Sequence, residues 1–257
     1  MSFYTGRTVL VTGASAGIGA AMARDLGARG ARTLLVARRA DALDAVASDV
    51  RSAGGTADVI AADLSGADGA AALVERLDEP IDVLINNAGY GIQGPFLDAD
   101  TPETVGQVEL NVTALTALTH ALLPDMVARG RGGVLNVASV AAFTPAPRFA
   151  VYAATKAYVR SLSEALHFEM RGTGVAVTCL CPGPVETQFA DRAGMDDAFF
   201  DGAMTAEAVA KAGLDGLARG RRVVVPGVLN VVQTTAAPLV PRSLLLRVTD
   251  AVMKRAG

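Results

Sequence analysis

Tyr152 and Lys156 stand four residues apart in Val151-Tyr-Ala-Ala-Thr-Lys-Ala157. The stretch reads as helix, and residues at i and i+4 lie one above the other on a helix face. The spacing therefore sets a phenol beside an ammonium. A neighbouring cation favours the phenolate, so the phenol is expected to fall from its ordinary value of about 10 towards neutrality. A fall of roughly three units corresponds to about 4 kcal/mol, which is within reach where water is partly excluded and a second cation helps. Such a pair is a candidate general acid/base for work near neutral pH. A Tyr-x-x-x-Lys match also occurs in helices that do no chemistry, so its meaning depends on the rest of the chain.

A glycine-rich segment, Thr12-Gly-Ala-Ser-Ala-Gly-Ile-Gly19, directly follows the apolar run Thr8–Thr12. Gly13 permits a tight turn. Gly17 and Gly19, with Ile18 between them, let the backbone approach a pyrophosphate at a helix N-terminus. Ser15 is placed to donate to a phosphate. The next strand ends Leu34-Leu-Val-Ala-Arg-Arg39. A fold that binds NAD usually carries Asp or Glu there, on the adenosine-ribose hydroxyls. Here Ala37 is followed by Arg38 and Arg39. A carboxylate would repel a 2′-phosphate, whereas a guanidinium pairs with one bidentately. The pattern predicts NADP(H) over NAD(H). After the third strand, Asp63 is a candidate acceptor for the adenine amino group, with Leu64 against the ring. In Asn86-Asn-Ala-Gly89, the small residues around Asn87, Ala88 and Gly89 permit close approach of a cofactor.

These residues need a frame that brings strand ends together. Short apolar runs at 8–12, 33–37, 57–61, 83–86, 133–137, 176–181 and 222–225 alternate with Ala-rich amphipathic stretches. The rhythm predicts an α/β fold: a doubly wound, seven-stranded parallel sheet with helices on both faces. No repeat or linker interrupts it, so residues 1–257 are expected to form a single domain. Helices are expected from near Gly17, Asp41, Ala67, Thr101, Phe149 and Thr205. Thr101 is read as an N-cap with Pro at N1, and Pro124 is expected to kink or end the long helix.

With these motifs in order, the chain resembles the short-chain dehydrogenase/reductase family in its compact branch, from residue 8 to about 190. The markers that carry the resemblance are Thr12–Gly19, Asp63, Asn86–Gly89, Asn111, Ser139, Tyr152 with Lys156, and Pro182-Gly183 with Thr187. The resemblance implies that Tyr152 exchanges a proton with a carbonyl or alcohol oxygen. Lys156 would lower its pKa and hold the nicotinamide ribose. Ser139 would orient the substrate oxygen, and Asn111 would support a water that links Lys156 to solvent. Pro182, Gly183 and Thr187 would lie along the nicotinamide. It also implies a homodimer or homotetramer built on the long helices, and a substrate lid at about 187–204. Phe189, Met195, Phe199, Phe200 and Met204 would make that lid apolar, with Phe143 and Phe149 beside the catalytic residues. The expected substrate is an apolar ketone or aldehyde. About the variable segment after residue 205 the resemblance says little. A non-catalytic NADP(H)-binding regulator on the same fold is the alternative; the intact Asn111, Ser139, Tyr152 and Lys156 set speaks against it.

The bulk properties agree. Over 257 residues the chain is 51% apolar and 19% charged with a net charge of −3, which disfavours a nucleic-acid binder. No metal site is expected: Cys179 and Cys181 have no acidic or histidine partner nearby and read as buried free thiols, and His120 and His167 lie far apart. No secretory leader is evident, and a reducing cytoplasm fits. The uncharged run 223–241 is interrupted by Pro226, Gly227, Pro238 and Pro241, which argues against a membrane span. It reads as a strand followed by a core or subunit-contact helix, with an interfacial helix ending in Lys254 and Arg255 as the second reading.

Overall fold

The computed structural model describes residues 2–66, 68–196 and 202–255. In chain order the main strands are β1 (Thr8–Thr12), β2 (Arg32–Ala37), β3 (Thr56–Ala61), β4 (Val83–Asn86), β5 (Gly132–Val137) and β6 (Val175–Leu180). A short pair follows, β7 (Val185–Glu186) with β8 (Met204–Thr205), and then β9 (Val223–Val224). The main sheet is seven-stranded and parallel, in the order β3-β2-β1-β4-β5-β6-β9. Helices connect the strands: α1 (Gly17–Ala28), α2 (Ala40–Ser52), α3 (Gly69–Val74), α4 (Thr101–Val108), α5 (Leu115–Ala128), α6 (Ala150–Glu169), α7 (Phe189–Ala193) and α8 (Ala206–Ala218). Two more, α9 (Val228–Ala236) and α10 (Arg242–Met253), close the chain.

The strands are mostly apolar because both faces are covered. Val9 and Val11 point to one side, where Met22 and Leu26 of α1, Leu43 of α2 and Leu214 of α8 pack. Leu10, Leu84 and Val134 point to the other, against Leu118 and Met126 of α5. This is the two-residue alternation of a strand, and each such side chain stabilises the fold by roughly 1.5–3 kcal/mol when fully buried. Strand order reverses between β1 and β4. At such a switch point the connections diverge and leave a crevice at the carboxyl ends of the strands.

The structure corrects several local expectations. Pro124 does not end its helix; α5 continues to Ala128. Proline removes the N–H that would bond the His120 carbonyl, and His120 is exposed. Asp100, not Thr101, caps α4: its carboxylate accepts from the Glu103 amide at 3.2 Å, and Pro102 follows in the first turn. Between α4 and α5 the chain forms a π-helical segment, Glu109–Ala114, so Asn111 does not sit in regular α-helix. The α3 helix is described from Gly69 onward; Ala67, where it was expected to begin, lies outside the described residues. The uncharged run leads into α9, whose sole buried side chain is Thr234, so α9 is not a core helix. Cys179 and Cys181 are free and buried with their sulfurs 3.6 Å apart; that contact and burial hold the Cys181 thiol well above its ordinary range.

Candidate active site

The loop after β1 is shaped by its glycines. Gly13 and Gly17 have φ of +65° and +53°, in the left-handed region. Gly19 has no such requirement. A Cβ there would overlap the Gly13 carbonyl oxygen and Asn87 Nδ2, so its role is packing within the loop. Asn87 fastens this loop to the end of β4. Its Nδ2 donates to the Thr12 and Gly13 carbonyls at 3.0 and 3.1 Å. The amides of Asn87 and Ala88 both donate to Thr12 Oγ1 at 3.0 Å. Beneath them, Asn86 Nδ2 donates to Asn136 Oδ1 at 2.9 Å and to Thr119 Oγ1 at 3.0 Å, while Asn136 Nδ2 donates to Ser163 Oγ at 2.9 Å. This buried polar chain links β4, β5, α5 and α6. Its sequence signal was Asn136, the lone polar side chain in the β5 strand; a buried amide needs partners.

α6 carries the central pair. Tyr152 is buried, with Phe149 stacked at 4.4 Å between centroids and Phe189 at 5.5 Å. Lys156 Nζ lies 5.6 Å from the Tyr152 ring centroid and donates to the Val137 carbonyl at 2.8 Å. The spacing thus brings phenol and amine together, but the expected pKa effect is reversed. Burial pushes Tyr152 up to about 12, opposed by a hydrogen bond with Ser139. Burial also lowers Lys156 to about 8. Burial desolvates the phenolate, and Lys156, whose amine is directed at a backbone carbonyl, does not offset that cost.

Ser139 follows β5 with extended backbone and accepts from the Ala141 amide at 3.1 Å. Asn111 stands behind the site. Its Nδ2 donates to the Tyr90 carbonyl at 2.8 Å and to Thr155 Oγ1 at 3.1 Å, while its Oδ1 accepts from the Tyr90 amide at 3.1 Å. Thr155 in turn donates to the Tyr152 carbonyl at 2.7 Å. The π-helical segment thus ties the Asn86–Gly89 loop to the turn of α6 that bears Tyr152. A Cβ on Gly89 would lie 2.8 Å from Asn111 Oδ1 and 3.3 Å from Lys156 Nζ.

A single cleft of about 1430 Å³ runs along the carboxyl ends of the strands. Of the residues expected in the site, Gly13, Ser15, Gly17, Ile18, Arg38, Arg39, Asp63, Leu64, Asn87, Ala88, Gly89, Ser139, Tyr152, Lys156, Pro182, Gly183 and Thr187 line it. Gly19 and Asn111 do not; they support it from behind. Arg38 and Arg39 are exposed, with no ion-pair partner among the described residues. Arg192 of α7, which no sequence signal marked, lines the same cleft and lies 4.1 Å over the Tyr90 ring; burial, then the charge of Arg38, lowers its pKa. Phe143, Phe149, Phe189, Met195 and Met204 line the other end, whereas Phe199 and Phe200 lie outside the described residues. The sequence also gave no sign that α10 closes this end. Met253 is buried in one cluster with Phe149 and Tyr152, and Leu245 and Val248 line the wall.

Known proteins resemble this chain in sequence and fold. The short chain dehydrogenase profile matches residues 7–198. The ketoacyl reductase HetN of Nostoc sp. is 39% identical over 188 residues, which are 72% of this chain and 66% of that protein. A fatty acyl-CoA reductase of Mycobacterium tuberculosis is 41% identical over 184 residues, 68% of this chain and 62% of its own length. The alignments thus span under two thirds of these relatives. Among solved structures, a short-chain dehydrogenase from Sphingobium yanoikuyae in complex with NADPH superposes with a TM-score of 0.83 at 35% identity, covering 93% of this chain and 95% of that one. A bulky-bulky ketone specific alcohol dehydrogenase from Comamonas testosteroni gives 0.77 at 32% identity, covering 91% and 93%. The profile takes in the glycine loop, the β4 loop, Ser139 and the α6 pair together, and on that ground the chain belongs to the short-chain dehydrogenase family.

Proposed function

We infer that this protein is an NADP(H)-dependent oxidoreductase that reduces an apolar ketone or aldehyde to the alcohol. The observation that carries the reading is the buried Tyr152–Lys156 pair with half-buried Ser139, set in the same cleft as the glycine loop and the two exposed arginines. The residues suit a dinucleotide. The Gly13 and Gly17 turns leave backbone free of side chains beside the N-terminus of α1, and Asp63 and Leu64 flank the Arg38 end. The reduced nicotinamide, when bound, supplies the hydride to the carbonyl carbon. Tyr152 donates its proton to the carbonyl oxygen, and Ser139 hydrogen-bonds that oxygen. A phenol held at about 12 is fully protonated at neutral pH, yet it is more acidic than an alcohol, so a developing alkoxide takes the proton. Lys156 offsets the phenolate charge that results. Asn111 holds the backbone around both residues in register.

Arg38 and Arg39 support the choice of cofactor. Arg38→Glu is expected to weaken NADPH binding roughly thirtyfold, by losing one charge-assisted pair worth about 2 kcal/mol, and to leave NADH binding unchanged or tighter. Fluorescence titration with both dinucleotides checks this; equal weakening of the two would overturn the assignment.

The substrate reading is supported by the apolar end of the cleft: Phe143, Phe149, Phe189, Met195 and Met204, closed by Leu245, Val248 and Met253. The test is NADPH consumption over a series of methyl ketones of rising chain length, set against short polar carbonyls. Each buried methylene contributes about 0.8 kcal/mol, so kcat/KM is expected to rise about fourfold per carbon until the wall is filled. Equal rates across the panel would remove the apolar assignment.

A further inference from the structure

We propose that α9 and α10 form a docking face for an anionic lipid surface, at the mouth of the cleft. The proposal is independent of the substrate assignment, and its test does not use turnover. Of the fourteen large exposed apolar side chains among the described residues, eight fall between Val228 and Val252. Val228 and Leu239 are 83% and 84% exposed. On α10 the exposed positions Leu244, Arg247, Val248, Ala251 and Val252, continued by Arg255, follow the three- and four-residue spacing of one helix face. The opposite face is anchored: Met253 is buried in the cluster that holds Tyr152, Gln93 Nε2 donates to the Met253 carbonyl at 2.7 Å, and Arg148 pairs with Asp250 at 3.4 Å. The stripe is therefore presented by a helix fixed to the body.

Charge selects the occupant. From Pro226 to the end the chain carries Arg242, Arg247, Lys254 and Arg255 against the single acid Asp250, while the whole protein is at −3. Lys254 is paired with Asp250 at 2.6 Å, but Arg242, Arg247 and Arg255 are exposed with no ion-pair partner among the described residues. A helix with an apolar stripe and arginines along it lies in the plane of a membrane interface and is drawn to anionic headgroups. The other exposed apolar group, Phe96, Leu97, Val105 and Val108, lies among Asp98, Asp100, Glu103 and Glu109 and lacks that complementarity. No helix among the described residues is long and apolar enough to cross a membrane, so the contact is with one surface only. Val228, Leu229, Val248 and Val252 are both exposed and part of the cleft lining, so the docking face is continuous with the rim of the site.

Flotation of the full chain with vesicles tests this. The protein is expected to float with equimolar phosphatidylcholine–phosphatidylserine vesicles, to stay down with phosphatidylcholine alone, and to be released by salt. Combined Arg242→Gln, Arg247→Gln and Arg255→Gln should lower partitioning about a hundredfold, at about fivefold per arginine. Leu239→Ser with Leu244→Ser should weaken it as well. None of these five residues lines the cleft, so unchanged NADPH binding in each variant shows that the fold is intact. Failure to float with the anionic vesicles, or flotation unaltered in the arginine variant, overturns the proposal. So does a concentration-dependent dimer that the leucine changes abolish without any flotation, which would assign the face to a second copy of this chain.

Discussion

Tyr152→Phe is expected to lower turnover roughly a thousandfold, in the middle of the range that a positioned general acid contributes, while NADPH binding stays within about twofold. The change isolates one proton. The ring keeps its stack on Phe149 at 4.4 Å and its contact with Phe189, so the shape of the cleft is conserved. Ser139 loses a partner but still accepts from the Ala141 amide, so the loss of stability should be limited to about 1 kcal/mol. Single-turnover reduction of the best ketone from the length series, with denaturant melts alongside, gives both numbers. A variant that retains more than a tenth of the activity would mean that the proton comes from elsewhere. Catalysis by the pair would then be wrong, even with NADPH binding intact.

The sequence exposed the frame more readily than the supports behind the site. All seven sheet strands were bounded to within one residue at each end because they are short apolar runs, and β1 and β4 coincide with their expected limits. The residues that face the cleft were legible for a related reason. A glycine-rich turn, two arginines at a strand end and a Tyr–Lys pair at helical spacing are all local patterns. What sequence could not give depends on residues far apart in the chain. The packing role of Gly19 becomes apparent only when Asn87 is beside it. The Asn111 tether needs a π-helical segment, for which Glu109–Ala114 has no composition signal. The place of Met253 in one cluster with Tyr152 joins positions about a hundred residues apart. Proximity of phenol and amine was predicted from spacing, but the depth of burial that sets their pKa values was not.

That burial leads to the second large effect. Lys156→Met is expected to make the protein more stable and inactive at once. Burial lowers the lysine from its ordinary 10.5 to about 8 because a charged amine is held out of water. Between about 8 and 10.5 the unfolded chain binds the proton and the folded protein does not, so folding stability rises with pH across that window. Below about 8 the full cost of the buried charge is present, on the order of 3 kcal/mol. Methionine fills similar space without charge. It leaves the Val137 carbonyl without its donor, which offsets about 1 kcal/mol of the gain. A net gain of about 2 kcal/mol at pH 7 should raise Tm by about 5 °C for a chain of this size. Tyr152 does not confuse the window: its folded value is raised to about 12, so its contribution is intact below about 10 and is lost only as pH climbs towards 12. The gap between variant and native protein should therefore narrow from pH 7 to pH 10, and turnover of the native protein should fall above about pH 8 as the ammonium is lost. A variant less stable than the native protein at pH 7, or a gap that does not move with pH, would show that the amine is well solvated and that its charge is not held against the phenol by burial.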